Sequence, residues 1–184
     1  MPFVLDLDDP AGVHQVVGGV EDAAAAQLLG DPGAIARLQA RYPQVKAAAD
    51  TAELIATPHD VYAPCALGGA LDERTVAALP GSIVCGGANN QLATEGVAEQ
   101  LRGRGILYAP DYLVNAGGVI QVEDERHGFS FARAESKASG IFDVALRVFA
   151  AADAENVSPA VAADRLAEER IQAVGRLSSI RLPR

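Results

Sequence analysis

Three short runs between Asp60 and Gly118 carry the residue types that could do chemistry. Pro64-Cys65-Ala66-Leu67-Gly68-Gly69 combines a thiol with small residues. Gly86-Gly87-Ala88-Asn89-Asn90-Gln91 sets carboxamides directly after glycines, and Val114-Asn115-Ala116-Gly117-Gly118 repeats that pairing. Small residues let backbone approach a ligand closely, and amides and open backbone N–H groups hold polar, planar groups. The equipment suits a ligand such as a nicotinamide. It contains no metal-type spacing: His14, His59 and His127 are scattered, and Cys65 and Cys85 do not form a ligand pair.

Each run follows a short apolar segment. Val61-Tyr62-Ala63, Ser82 to Cys85 and Ile106 to Tyr108 read as strands buried on both faces, as in a parallel sheet. In open α/β sheets, ligands sit beyond the carboxyl ends of such strands. The expected fold is therefore α/β: a Rossmann-like, mostly parallel sheet with flanking helices, truncated on its amino-terminal side and followed by C-terminal helices. One domain is expected over 1–184, divided into a divergent segment 1–33, an α/β core 34–115 and a helical extension 116–184.

The motifs A-P-C-A-L-G-G, G-A-N-N-Q-L and I-L-Y-A-P-D-Y-L-V-N-A-G-G, in this order, resemble the cofactor-binding domain of the Glu/Leu/Phe/Val dehydrogenases, above all the leucine and valine branch. The resemblance runs from about Ala34 to the C-terminal helices. It implies NAD as cofactor, with Cys65, Ala66, Leu67, Gly68, Ala88, Asn89 and Asn115 on its nicotinamide side. It also implies hydride transfer from an amino acid, and a separate substrate domain that supplies a lysine and an aspartate as acid–base groups. That domain is not recognisable here. Of the two lysines, Lys46 lies beside a strand and Lys137 on the polar side of a helix, so the catalytic residues stay unassigned.

The first dinucleotide-binding unit is missing as well. A fingerprint needs a strand, then G-x-G-x-x-G, then a helix N-terminus facing the pyrophosphate. Gly18-Gly19 after Val16-Val17 lacks the third glycine, and Glu21 and Asp22 would repel phosphates, so a turn is the expectation.

The chain of 184 residues has 49% hydrophobic residues and a net charge of −9. That size supports a core. The charge, with no Lys/Arg cluster, argues against nucleic acid and against an anionic membrane surface. No apolar run has the length of a membrane span. The acidic opening Asp6, Asp8, Asp9 reads against a secretory signal. Two unpaired thiols fit a cytoplasmic protein.

Elsewhere the pattern predicts a strand at Phe3 to Asp8 and a helix over 20–29, with Gln27 to Asp31 as an alternative strand. A helix opened by Pro32 is expected to reach about Arg41, followed by strand and helix near Val45 and Thr51. Further helices are expected over 72–79, over 94–101 with Thr94 as cap, over 116–122, over 134–152 and from Ser158 to about Leu177. The helix over 134–152 has one stripe through Ile141, Val144, Ala145 and Val148 and another through Phe142, Leu146 and Phe149. Two stripes predict burial on more than one side. Each site residue also has a structural reading. Cys65 packs as a small buried residue, Asn89 and Asn90 bond their own turn, and Asn115 caps the following helix. The acidic runs Asp72-Glu73 and Glu123-Asp124-Glu125 read as solvated faces.

Three functions fit this sequence: the cofactor part of an amino-acid dehydrogenase that needs a substrate-domain subunit, a family descendant using the crevice for a non-redox reaction on a small molecule, or a non-catalytic homodimer.

Overall fold

A computed structural model describes residues 3–5, 15–18, 32–43, 45–65 and 67–178. The expected helix over 20–29 and the alternative strand ending at Asp31 lie outside these residues.

Six strands form one sheet in the order β3-β1-β2-β4-β5-β6. They are β1 (Phe3–Leu5), β2 (Gln15–Gly18), β3 (Val45–Ala47), β4 (Val61–Pro64), β5 (Ile83–Val84) and β6 (Leu107–Tyr108). β2, β4, β5 and β6 run parallel, and β1 is antiparallel to both β2 and β3. The mostly parallel α/β fold is as expected. The amino-terminal segment is part of it, since Gln15 pairs with Val61 and Gly18 with Pro64. Gly18 thus ends a strand.

Helices α1 (Pro32–Arg41), α2 (Thr51–Ala56), α3 (Glu73–Ala78) and α4 (Gly96–Gly103) make the crossovers. Parallel strands need such connections, and successive right-handed ones in a single direction place their helices on one face. The sheet's period of two then sorts its residues. Tyr62, Val84 and Tyr108 align across β4, β5 and β6 and are buried, whereas Val61, Ile83 and Leu107 on the other face are half-buried or exposed. The first row packs with Leu54, Leu71, Val76, Leu79, Val97 and Leu101 into the main core.

Local chemistry sets the helix ends. Asp50 Oδ1 accepts from Glu53 N at 2.8 Å while Glu53 Oε2 accepts from Ala49 N at 2.5 Å, a reciprocal cap on α2. Asp72 is the N-cap of α3 and accepts from Thr75 N at 2.7 Å, which holds its carboxyl below the usual range. It serves the backbone rather than a merely solvated face. Thr94 does not cap α4. That helix starts at Gly96 after Glu95, without a side-chain cap, because the Thr94 carbonyl instead accepts from Val97 N.

Beyond β6 come α5 (Asp111–Val114), α6 (Gly117–Glu125), α7 (Phe131–Glu155) and α8 (Pro159–Ser178). The one-turn α5 was not apparent in the sequence, since four residues are too few to show a period. α7 and α8 pack through Val148, Ala152, Ala162 and Ala163, a second core whose small residues bring the helices close together. Phe149 joins that core, but Phe142 is 67% and Leu146 50% exposed, so the second stripe of α7 is open over most of its length. Asp124 also departs from its solvated-face reading. It is 1% exposed and accepts from Ser130 N at 2.5 Å and Arg133 Nε at 2.8 Å. The Arg133 guanidinium, then the Ser130 N–H, holds its carboxyl below the usual range and pins the α6–α7 corner.

Candidate functional site

The carboxyl ends of β4, β5 and β6 open into the three loops singled out by their chemistry, and the parallel register brings these loops side by side. Pro64 O accepts from Ala88 N at 2.9 Å, so the β5 loop continues alongside the end of β4. Gly86 makes the approach feasible: a side chain there would place its first carbon 2.2 Å from Pro64 O. One residue on, Gly87 N donates to Cys65 Sγ at 3.3 Å. The β4 and β5 loops are then zipped by Gly69 N to Asn90 O at 2.7 Å and by Leu71 N to Gln91 O at 2.9 Å. Gly68 lies against this seam, its missing side chain 3.0 Å from Asn89 O.

The β6 loop closes the set. Asn115 Nδ2 donates to Gly87 O at 2.7 Å and to Asn89 Oδ1 at 2.8 Å. Asn115 is the C-cap of α5, and α6 begins after Ala116 without a side-chain cap, so the helix-capping reading of Asn115 is replaced by a bond between loops. Asn89 likewise bonds across to the β6 loop rather than within its own turn. Asn90 takes the left-handed backbone, φ 52°, which asparagine tolerates.

Two buried polar residues hold the loops from below, and both were passed over in the sequence. Asp111, 8% exposed, accepts from Asn90 N and from Tyr108 Oη, each at 2.8 Å. Burial, reinforced by the Asp111 carboxylate, pushes the Tyr108 phenol far above its ordinary value. Gln91 is fully buried and donates to Gly86 O at 2.8 Å and Ala88 O at 2.9 Å. A carboxamide in an amide-rich loop reads as solvated. Its only sequence signal is its place between the glycine corner and the apolar Leu92.

The predicted site residues thus meet, with two qualifications. Ala66 lies outside the described residues, and Leu67, 38% exposed, stands on the β4 loop without a bond to the network. Cys65 is exposed, which corrects its buried-packing reading. Cys85 is half-buried, and burial, with Cys65 nearby, raises its thiol pKa. Lys137 is ion-paired with Glu123 on α6, and Lys46 sits in β3. Among the described residues no group of three or more His, Cys, Asp or Glu could hold a metal ion.

The arrangement is a lip of carbonyls, backbone N–H groups and two side-chain amides at the carboxyl edge of a parallel sheet. The Glutamate/Leucine/Phenylalanine/Valine dehydrogenase family model matches residues 6–171. The chain belongs to this family. The match reaches well before Ala34, where the sequence resemblance faded. Among dehydrogenases of the family, valine dehydrogenase of Streptomyces coelicolor is 59% identical over 132 residues, covering 71% of this chain and 36% of that protein. Leucine dehydrogenase of Thermoactinomyces intermedius is 48% identical over 113 residues, covering 61% of this chain and 31% of its own length. The crystal structure of L-tryptophan dehydrogenase from Nostoc punctiforme superposes with a TM-score of 0.73 at 37% identity, over 79% of this chain and 43% of that one. The matched segments therefore cover between 31% and 43% of the length of these dehydrogenases.

Proposed function

We propose that this chain forms a single Rossmann-like domain that is the nicotinamide-binding part of an NAD-dependent amino-acid dehydrogenase acting on branched-chain amino acids. The observation that carries the reading is the bond network from Cys65 through Gly87 and Asn89 to Asn115. It supports a rigid lip at the sheet edge where a planar carboxamide ligand would rest.

The residues fit such a group. Gly68 and Gly86 let the loops close on one another, and Gly87 presents no side chain beside Cys65. The backbone around Cys65, Ala66, Leu67 and Ala88, with the Asn89 and Asn115 amides, would hold the ring and its carboxamide. The bound cofactor supplies hydride acceptance. The chain's own residues orient the ring: each amide is fixed by another loop before any ligand arrives, so little ordering is left to do on binding. Asp111 and Gln91 act beneath this surface as positioning residues.

Among the described residues no acid or base is placed for the amine. Lys137 is engaged with Glu123 on α6. Proton transfer, worth about 10²–10⁴-fold, falls to a substrate domain outside the described residues. The exposed apolar residues Val119, Val122, Phe131, Phe142 and Leu146 on α6 and α7 support association with further protein, including a second copy of this chain.

A titration with NADH, read by calorimetry or cofactor fluorescence, tests the reading. Saturable binding at micromolar to sub-millimolar cofactor is expected. Absence of binding at millimolar NADH by the folded chain overturns it and leaves the crevice to a different, non-redox ligand.

A further inference from the structure

The chain has two cysteines, and the sheet brings them to the same edge. Val61 pairs with Ile83 and Tyr62 with Val84 in parallel register, so Cys85 follows β5 opposite Ala63, and Cys65 follows the end of β4 two residues further on. The bond from Gly87 N to Cys65 Sγ, at 3.3 Å, turns the Cys65 sulfur toward the β5 loop. Only Gly86 separates that N–H from Cys85. The Cys65 sulfur is near enough to act on the Cys85 thiol electrostatically. Both thiols are free.

Their settings differ. Cys65 is exposed and meets a dissolved oxidant first, whereas Cys85 is half-buried. Burial, then the neighbouring sulfur, keeps the Cys85 thiol protonated to a higher pH than usual. The loops also differ in what can move. Gly86 is wedged against Pro64, where an added side-chain carbon would lie 2.2 Å from Pro64 O, and Ala88 N is bonded to that oxygen at 2.9 Å. The β5 loop is therefore fixed. Past Pro64, the next backbone bond of the β4 loop among the described residues is Gly69 N to Asn90 O at 2.7 Å. Cys65 is the side free to shift.

We infer that Cys65 and Cys85 form a reversible redox latch on the lip, a disulfide that closes under hydrogen peroxide and draws the Cys65 sulfur off the Gly87 N–H. The Cys65 sulfur attacks one peroxide oxygen. The O–O bond breaks, leaving a sulfenic acid on Cys65 and one water. The Cys85 sulfur gives up its proton and attacks the sulfenic sulfur. The S–S bond forms, the S–O bond breaks, and the oxygen leaves as a second water. Two thiols lose two electrons and two protons, and the peroxide becomes two waters. A thiol reductant reverses the bond by exchange. A disulfide needs its Cβ atoms about 3.5–4.5 Å apart, and shifting Cys65 toward Cys85 supplies that approach. The bond chain from Cys65 through Gly87 to Asn115 then loses its first link. The consequence for cofactor rests on the nicotinamide reading; the disulfide does not.

Stoichiometric hydrogen peroxide on the full chain, followed by non-reducing peptide mapping and amide NMR, tests this. A Cys65–Cys85 link within one chain, loss of both free thiols and a displaced Gly87 amide are expected, all reversed by dithiothreitol. In Cys85→Ser the sulfenic acid stays on Cys65 and is captured by dimedone. NADH affinity of the linked protein should fall about tenfold or more below that of the reduced one. The inference is overturned if both thiols stay free, if the link forms between chains, if the Gly87 amide stays in place in the linked protein, or if linked and reduced protein bind NADH equally well. A reduced protein that binds no NADH removes the cofactor reading alone, and the peptide map and the Gly87 amide still decide the latch.

Discussion

Asn115 Nδ2 lies 2.8 Å from Asn89 Oδ1, joining the loop after β6 to the loop after β5 across 26 residues of chain. The same nitrogen reaches Gly87 O at 2.7 Å, so one carboxamide fixes both the backbone and a side chain of the neighbouring loop. Asn115→Ala removes both bonds, each worth about 0.5–1.5 kcal/mol. NADH affinity is expected to fall roughly tenfold, with circular dichroism unchanged. Asn89→Ala breaks only one of the bonds. In a double-mutant cycle the pair should show a coupling of about 0.5–1.5 kcal/mol. Wild-type affinity in a folded Asn115→Ala protein would remove Asn115 from the site.

Gly86 and Gly140 should respond in opposite directions to the same added methyl. At Gly86 it would meet Pro64 O at 2.2 Å, where the loop after β5 is bonded alongside the end of β4 and its backbone cannot yield cheaply. Gly86→Ala is expected to cost about 3 kcal/mol or more. At Gly140, inside α7, nothing lies within 4 Å. Gly140→Ala should stabilise by about 0.5–1 kcal/mol through backbone entropy and helix propensity. Urea unfolding midpoints read both, and equal effects would refute the close approach of the loops.

Tyr108 ties stability to alkaline pH. Its phenol is raised chiefly by burial and then by the Asp111 carboxylate. The folded state therefore keeps its proton after the unfolded state has begun to lose one, near pH 10. Stability from this group is complete below about pH 10 and is lost as pH climbs toward the raised folded value. Tyr108→Phe should flatten the alkaline slope of unfolding free energy, while at neutral pH it costs about 1–2 kcal/mol for the donor taken from Asp111. An alkaline slope identical in the two proteins would show that Tyr108 titrates normally.

The open stripe of α7 should be separable from its buried one. Phe142→Ser with Leu146→Ser changes residues that are 67% and 50% exposed, so unfolding free energy should move by less than about 0.5–1 kcal/mol. Val148→Ala, at a 2% exposed position between α7 and α8, should cost about 2 kcal/mol. If the stripe covers a second copy, sedimentation velocity should show the wild-type chain larger than a monomer and the double serine variant shifted toward a monomer. A monomeric wild type would count against the self-association reading.

The sequence by itself determined the parallel strands, the loops that carry chemistry and most helix boundaries, because those are local. A short apolar run bounded by glycine reads as a strand, and Pro32 opens α1 within a turn of its own position. The loops' place at the carboxyl edge followed from strand direction alone. What only the tertiary structure decided was partnership between segments far apart in the chain. Asn115 passed for a helix cap because its partners, Gly87 and Asn89, come from another loop. Asp124 passed for a surface charge because Arg133 reaches it only once α6 turns into α7. Phe142 and Leu146 carry the same apolar signal as Val148, yet only Val148 is covered by α8. Hydrophobicity shows that a face favours burial, but which surface covers it depends on how the helices pack.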